Sequence, residues 1–349
     1  MFAPSTSAAS SPALLFSNGI GDHVLAMPAL RAIAKAFTGR LTLMCSPTAP
    51  RFLFDELPLR RIVEVAFFRE DGTKHFDARA AVRELGACDL FISLVPWRSA
   101  SLKSLVTQLS PAPAIGLTRD FPVQVPRDPS QHMADVLFRV ARSLLRHARI
   151  AEFTAPLPLP AKARAEASAL RERVAGSKRI LAVHADTVPE KTWAPRRLAA
   201  VLRQFLGAHP DFCVCVVGTT PMPELLDRRI VPCLGLPVAT SFALVAQADL
   251  FLGVDSCMLH VADLCRVPSV ALFGPTRAET WGLRFGSGVT IQAKGSMSSI
   301  GVGAVARALE RVHVDSRCCE LWEIAEDGRL LMPPERHRGT LLGRLVARM

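Results

Sequence analysis

Short apolar runs alternate with amphipathic, helix-like segments along most of the chain, and this alternation limits the fold more than any other feature. In the first half the strand-like runs lie at 14–17, 41–45, 62–66, 89–94 and 114–117. In the second half they are RILAVHA (179–185), FCVCVVG (212–218), DLFLGVD (249–255) and SVALFG (269–274). Strands separated by helices need crossover connections, which place them parallel in one sheet. The sequence therefore predicts an α/β protein with two parallel sheets.

A proline-containing stretch separates the two halves. It begins at Glu152 as EFTAPLPLPAKARAEASALRERVAGS and joins a proline-rich segment to a solvated helix pattern. We predict a Rossmann-like domain over 1–150, a linker over 151–178 and a second Rossmann-like domain over 179–317. The basic end, 318–349, is predicted to be a helical tail, with packing back on the first domain as one arrangement.

Composition indicates a globular, cytoplasmic protein. The 349 residues are 50% hydrophobic and 21% charged, enough apolar material for two cores. No apolar stretch approaches the ~18 residues that span a bilayer, and the N-terminus does not resemble a signal peptide. The nine cysteines are an odd number without zinc-ligand spacing. We therefore expect reduced thiols and no metal site.

The net charge of +11 favours anionic partners. Nucleic acid is a weak candidate because the chain has no tyrosine and only 6% aromatic residues, so platforms for base stacking are few. Nucleotide sugars and phosphorylated lipids fit the charge better, although an arginine-rich solvated surface also explains it.

The stretch SNGIGDHVLAMPALRAIAKAF, residues 17–37, joins a strand to a helix through Gly19 and Gly21. Such a turn directs free N–H groups and the positive end of the helix dipole toward a ligand. It is not a dinucleotide fingerprint, because Val24 replaces the third glycine and no acidic residue ends the second strand. Asp22 has two readings that stay open here: a carboxylate that stabilises the helix start, or a reactive acid at a strand end.

The second half has a richer site pattern in FLGVDSCMLHVADLCRVPSVALFGPT. Asp255 closes a strand, and Ser256 can cap the following helix, whose first N–H groups are free to meet an anion. His260 follows one turn later and is either structural or catalytic. Thr276 closes a neighbouring strand, where its hydroxyl could reach a phosphate oxygen.

Three stretches together resemble glycosyltransferase family 9, the ADP-heptose:lipopolysaccharide heptosyltransferases. They are NGIGDHVLAMPALRAIAKAF, VHADTVPEKTWAPRRLAAVL with Lys191 and Trp193 in register, and GVDSCMLHVADLCRVPSVALFGPTRAETWG. Their order and spacing match the family over most of residues 13–290. The resemblance implies a GT-B architecture, in which two Rossmann-like domains face each other across a cleft and hold acceptor and nucleotide sugar respectively.

The same resemblance implies an inverting, metal-independent transfer of heptose or a related sugar to a lipopolysaccharide-core or other saccharide acceptor. The co-substrate would be a nucleotide-diphosphate sugar such as ADP-heptose, with no cofactor. Asp22 falls on the general base, and the glycine turn is Gly19 and Gly21. The residues assigned to donor binding are Lys191 near the phosphates, Glu224 at the ribose, Asp255 at the sugar hydroxyls, Ser256 and Cys257 at the diphosphate, and also His260 and Thr276.

Two residues depart from the family pattern. Cys257 stands where the family has glycine, so a side chain enters a loop that approaches phosphate closely. His23 replaces an aliphatic residue, and it either tunes Asp22 or caps the surface of the helix, which is the interpretation we favour. Competing hypotheses are a nucleotide-sugar epimerase or hydrolase of the same architecture, or a non-catalytic binding homologue. An anionic glycolipid acceptor would bring the protein to the cytoplasmic face of the inner membrane as a peripheral partner.

Overall fold

The computed structural model describes residues 8–110, 112–318, 323–324 and 330–331. The strands are β1 (Pro12–Leu15), β2 (Thr42–Cys45), β3 (Arg61–Glu64), β4 (Phe67–Glu70), β5 (Thr73–Phe76), β6 (Leu90–Ser93), β7 (Ala114–Gly116), β8 (Val123–Gln124), β9 (Arg179–His184), β10 (Phe212–Gly218), β11 (Ile230–Leu234), β12 (Leu250–Val254), β13 (Ser269–Phe273), β14 (Gly288–Gln292), β15 (Glu323–Ile324) and β16 (Leu330–Leu331). The helices are α1 (Ile20–Ala36), α2 (Ala78–Leu85), α3 (Ala100–Gln108), α4 (Met133–Leu144), α5 (Ala161–Ala175), α6 (Pro195–Ala208), α7 (Val238–Ala246), α8 (Cys257–Leu264), α9 (Ala278–Trp281) and α10 (Val302–Cys318).

Two six-stranded parallel sheets form the two lobes of the molecule. Their strand orders are β3-β2-β1-β6-β7-β8 and β11-β10-β9-β12-β13-β14, so both have the same Rossmann order. In each sheet the next two strands of the chain are added on one side of the starting strand and the later three on its other side. The strand order therefore reverses between β1 and β6 and between β9 and β12. These switch points open crevices at the carboxyl ends of the strands, where ligands bind in open α/β sheets. The predicted α/β class with two parallel sheets is confirmed.

The lobes share one apolar core. Helix α1 is buried along most of its length because it packs on the first sheet, on α4 and on α8 of the second lobe. The ring of Phe52 meets Phe242 edge to face at 5.8 Å between centroids, which continues the packing across the interface. A second core cluster lies on the opposite face of the second sheet, under α6 and α10. The central helices α1 and α8 are thus held from both lobes.

Polar contacts also tie the lobes together. The ring nitrogen Nε2 of His132 lies 3.0 Å from the carbonyl oxygen of Gly282. The guanidinium of Arg284 donates to both oxygens of Asp135, at 2.7 and 3.1 Å. These groups join the start of α4 to the loop after α9, and they hold the edge of the crevice between the lobes.

The chain contains elements that the apolar pattern did not indicate. The antiparallel hairpin β4–β5 turns at Asp71 and Gly72, both with positive φ, and its strands are largely polar. Strands β11 and β14 are also additions to the predicted set. In the predicted linker, helix α5 packs on α7 of the second lobe. The domain boundaries themselves stay a prediction.

The predicted helical tail over 318–349 falls mostly outside the described residues. Within it the structure describes the last residue of α10 and the antiparallel pair β15–β16. In the described part of the chain, no helix has both the length and the apolar character needed to cross a membrane.

Candidate active site

The site lies where the carboxyl ends of the two sheets face each other. Asp22 follows β1 through the glycine turn, Asp255 follows β12 directly, and Thr276 follows β13. Lys191 ends a short 3₁₀ turn that follows β9. The parallel strands place all of these residues at the carboxyl edges of the two sheets, the edges at which ligands bind in open α/β folds.

Asp22 serves the start of α1 and also faces the second lobe. Its Oδ2 accepts the N–H of Gly19 at 3.0 Å, so the reading as a helix N-terminal carboxylate is correct. Burial raises the pKa of the Asp22 carboxyl above its usual value, and the bond from Gly19 opposes this. The charge of Asp255 raises the same pKa further, while Lys191 lowers it. The acid of the first lobe therefore lies within electrostatic reach of the charged pair in the second.

Asp255 is the centre of the second-lobe cluster. It is only 6% exposed, and its Oδ2 accepts from Lys191 Nζ at 2.6 Å and from Thr276 Oγ1 at 2.7 Å. A buried carboxylate needs such partners to remain ionised. The structure thus brings together three residues that the sequence assigned to donor binding. Trp193, two positions after Lys191, is buried and donates to the carbonyl oxygen of Ile300 at 3.2 Å, which anchors this loop.

His260 lies behind Asp255 on α8. Its Nε2 is 4.0 Å from Asp255 Oδ1, beyond hydrogen-bond distance. Burial lowers the pKa of the imidazole well below its usual value, so the ring is neutral near neutral pH. Among the described residues, its Nδ1 has no hydrogen-bond partner, and neither does Ser256 Oγ or His23 Nε2. These three buried polar atoms belong to the first turns of α1 and α8 or the cap before them.

Helices α1 and α8 approach each other most closely at Gly21. A Cβ placed on Gly21 would lie 3.0 Å from His260 Cδ2 and 3.2 Å from Cys257 Cα, closer than ordinary van der Waals contact. Only glycine leaves room for α8 here. The glycine turn therefore has a packing role between the lobes.

The start of α8 differs from the expected cap. Ser256 is the N-cap residue, but its side chain makes no capping hydrogen bond, so that part of the prediction was wrong. The half-buried thiol of Cys257 lies over the helix start instead. Burial raises its pKa, and the N–H groups of Met258 and Cys257 itself, which approach the sulfur, lower it. The sulfur thus lies among N–H groups that an anion would otherwise meet.

Glu224 is not brought into this cluster. It lies half-buried in the loop between β10 and β11, and its carboxylate forms no hydrogen bond or ion pair with any residue the structure describes. The loop closes an apolar cavity of about 220 Å³ whose lining includes Met222, Leu225 and Ile230. Asp186 fixes the start of the same loop by accepting from the N–H groups of Thr219 and Thr220 at 2.6 and 3.0 Å.

The expected surface position of His23 is wrong, because the residue is buried. It is 1% exposed, with its ring against Phe16 and Phe54 at centroid distances of 4.8 and 5.8 Å. Its Nδ1 lies 2.8 Å from the carbonyl oxygen of Gly19, which fixes the proton on Nδ1 because a carbonyl only accepts. Burial lowers its pKa to about 4. His23 is a neutral core residue beneath the turn that carries Asp22.

Sequence reasoning also missed a lysine. Lys74 in β5 donates from Nζ to Ser17 at the end of the first strand, and its charge lowers the pKa of Asp22. No local pattern marks this residue, because the hairpin brings it to the site from more than fifty positions away in the chain. Among the described residues, no group of three His, Cys, Asp or Glu side chains is arranged to hold a metal ion.

Comparison with known proteins agrees with this geometry. The family model of glycosyltransferase family 9 (heptosyltransferase) matches residues 116–299, more than half of the chain. Lipooligosaccharide heptosyltransferase 2 of Campylobacter jejuni subsp. jejuni serotype O:6 (strain 81116 / NCTC 11828) is 23% identical over 272 residues, which cover 74% of this chain and 79% of the relative.

Two solved proteins share the fold. A glycosyl transferase family 9 structure from Veillonella parvula DSM 2008 has a TM-score of 0.73 at 18% identity, covering 88% of this chain and 97% of its own. The E. coli heptosyltransferase WaaC with ADP has a TM-score of 0.62 at 16% identity, covering 86% and 99% respectively. WaaC with ADP-2-deoxy-2-fluoro heptose has a TM-score of 0.58 at 15% identity, covering 86% and 99%.

The fold, with two Rossmann-type lobes of the same strand order, is that of a GT-B enzyme. The predicted GT-B architecture is therefore confirmed. The chain belongs to glycosyltransferase family 9 and is a heptosyltransferase-like glycosyltransferase.

Proposed function

We propose that this enzyme moves heptose or a related sugar from a nucleotide-diphosphate sugar, such as ADP-heptose, to a lipopolysaccharide-core or other saccharide acceptor, with inversion. The observation that carries the proposal is that Asp22 of one lobe faces Lys191 and Asp255 of the other. The heptosyltransferase relative and the ADP-containing structures of WaaC support this donor class. Residues 1–150 would hold the acceptor and 179–317 the donor.

In this mechanism Asp22 takes the proton of the acceptor hydroxyl as that oxygen attacks the anomeric carbon. The new glycosidic C–O bond forms on one face while the C–O bond to the diphosphate breaks on the other. Burial raises the pKa of Asp22 toward the range of an effective base. Negative charge grows on the leaving diphosphate, and the Lys191 ammonium together with the first N–H groups of α8 would stabilise it.

Lys191 and Asp255 have separate roles in the proposal. The ammonium of Lys191 is held by Asp255 at 2.6 Å. A bound diphosphate would compete for that ammonium, leaving the carboxylate of Asp255 free to accept from sugar hydroxyls. Thr276 would keep Asp255 oriented through its 2.7 Å hydrogen bond. Ser256, Cys257 and His260 stay assigned to the donor side of the site, and Glu224 to the ribose. No metal or other cofactor is part of the mechanism.

The test pairs binding with turnover. A thermal-shift series with ADP, UDP, GDP and their sugars should show stabilisation by one nucleotide family, since ligands that bind the folded state raise Tm. D22N should bind that donor as the wild type does, yet lose transfer to a saccharide acceptor. Retained transfer by D22N would reject Asp22 as the base. Sugar released or isomerised without acceptor would favour a hydrolase or epimerase, and no nucleotide binding would favour a non-catalytic protein.

The cellular setting follows from the acceptor class. A lipopolysaccharide-core acceptor is an anionic glycolipid, and the net charge of +11 suits it. We place the protein in the cytoplasm with a peripheral contact at the inner membrane, and nucleic acid is not a partner in this proposal. Binding to acceptor-bearing vesicles should weaken as salt rises, because screening shortens the reach of these charges.

A further inference from the structure

The hairpin β4–β5 presents one face to the turn that carries Asp22. Its pairs are Phe67 with Phe76 and Arg69 with Lys74, and alternation along each strand places these four side chains on the same face. Asp71 and Gly72, both with positive φ, form the tight turn that joins the strands. The hairpin therefore brings Lys74 to a sheet edge that the local sequence does not connect with the site, while the exposed Arg69 donates to the carbonyl oxygen of Gly72 in the hairpin turn.

The ammonium of Lys74 is fixed on the strand end that leads into the glycine turn. Nζ donates to the carbonyl oxygen of Ser17 at 2.6 Å and to its Oγ at 3.0 Å. It also lies over the rings of Phe67 and Trp97, at 4.7 and 5.5 Å from their centroids. These rings attract the cation and limit its motion. An ammonium has three donors, so one N–H remains beyond the two given to Ser17.

The next residue of the turn is held in a similar way. Trp97 Nε1 donates to Asn18 Oδ1 at 2.8 Å, and the following N–H, that of Gly19, binds Asp22 Oδ2 at 3.0 Å. Ser17, Asn18 and Gly19 are thus each fixed by a separate side chain. Three successive anchors leave the turn little freedom to move Asp22.

We propose that Lys74 is a positioning residue for Asp22, which fixes the turn that carries the catalytic carboxylate and places a positive charge beside it. This inference rests on the proposed function, in which Asp22 is the base. It adds a first-lobe cation to the reaction, opposite the second-lobe cation Lys191.

The charges around Asp22 come from three elements. Lys74 faces it from the hairpin, and Lys191 and Asp255 face it from the second lobe. Arg69 lies near Lys74 and lowers the pKa of that ammonium, after the larger effect of burial, while Asp22 raises it. Loss of Lys74 would leave Asp22 with burial and Asp255 both opposing its ionised form. Because Asp22 must be ionised to act as the base, the enzyme would then reach full activity only at a higher pH.

The experiment compares K74M with K74R, and uses K103M as a matched control because Lys103 is an exposed lysine on α3 of the same lobe. Each variant is assayed for kcat/KM from about pH 5.5 to 9, for ADP affinity and for Tm. K74M should lose about tenfold in kcat/KM at neutral pH, and its acid limb should move to higher pH, the direction expected from losing a nearby positive charge. K74R should recover most of the rate, and K103M should match the wild type.

The outcomes separate this inference from the proposed function. An acid limb that stays in place in K74M, with Tm and ADP affinity like those of the wild type, overturns the role of Lys74 while leaving Asp22 as the base. A uniform loss at every pH, together with a lowered Tm that K74R does not restore, shows a purely structural lysine and also overturns it. Retained transfer by D22N overturns the base assignment itself, and the role of Lys74 with it.

Discussion

Replacing Gly21 by alanine tests how closely α1 and α8 must approach for the site to work. The added Cβ would lie 3.0 Å from His260 Cδ2 and 3.2 Å from Cys257 Cα, and the second neighbour is backbone that cannot rotate away. Helix α8 must therefore retreat by a few tenths of an ångström. The residue after Gly21 is the proposed base, and the residue before Cys257 occupies the N-cap position of α8, so the movement acts on both halves of the site.

The expected magnitude combines two opposing effects. Overpacking in a well-packed interface costs about 1–3 kcal/mol, while alanine in place of glycine within a helix gains up to about 1 kcal/mol. We expect a net loss of about 1 kcal/mol in the free energy of unfolding, or roughly 2 °C in Tm for a protein of this size. Misplacement of the base by a fraction of an ångström should lower kcat/KM about tenfold.

Gly207 supplies the matched control. It lies exposed in α6, and a Cβ there would meet nothing within 4 Å. G207A should therefore raise the unfolding free energy by up to about 1 kcal/mol and leave activity unchanged. Differential scanning calorimetry and initial-rate assays on both variants give the comparison. If G21A is stabilised as much as G207A and keeps full activity, the close approach of α1 and α8 is not required.

Three further perturbations test single residues. K191Q should lower kcat about 10²–10³-fold, because it removes a hydrogen-bond donor to the leaving group. K294Q, at an exposed position of the same lobe, should keep the wild-type kcat. Equal initial rates for K191Q and K294Q would contradict the role of Lys191. C257G should bind ADP several-fold more tightly by calorimetry, because the N–H groups near the sulfur become available, and weaker binding would contradict this. His23 has its pKa lowered to about 4, so its contribution to stability is present above its unfolded pKa of about 6.5 and is lost as pH falls toward 4. Urea unfolding at about pH 7.5 and 5 should show a loss that is larger by about 2 kcal/mol in the wild type than in H23N, which keeps the other buried histidines; an equal loss in both would refute it.

Most strands that could be predicted from the sequence are buried on both faces, and the partly exposed β3 is an exception. Strands β9, β10, β12 and β13 are almost entirely apolar, and their prediction is confirmed. Strand β11 carries Pro232 and alternates between buried and exposed residues, so its pattern is weak. The hairpin β4–β5 has mostly half-buried or exposed side chains and no apolar run. Elements that rely on tertiary contacts rather than their own apolar pattern were the ones missed.

The candidate site likewise has features that the sequence could indicate and features that it could not. Asp22, Asp255 and Thr276 stand at strand ends, where the topology of a parallel sheet places ligand-binding residues, so the sequence could indicate them. Their partners could not be read from it, since the bond from Thr276 to Asp255 depends on side-chain direction. His23 shows the limit most clearly. Its position beside Asp22 indicates nothing about burial, which comes from Phe16 and from Phe54 in a separate segment.

The charges at the opening explain why both lobes need a lysine. Asp22 and Asp255 face each other across the lobes, and the negative charge of Asp255 raises the pKa of Asp22. Lys191 binds Asp255 directly, and Lys74 lies by the turn of Asp22 on the opposite side. Each lobe thus contributes one acid and one lysine to the site. In the proposed mechanism a diphosphate would draw Lys191 away, and Lys74 would then be the remaining cation that favours the ionised form of Asp22. K74M should therefore lower kcat, which reports the donor-bound enzyme, more than it weakens the binding of ADP to the free enzyme.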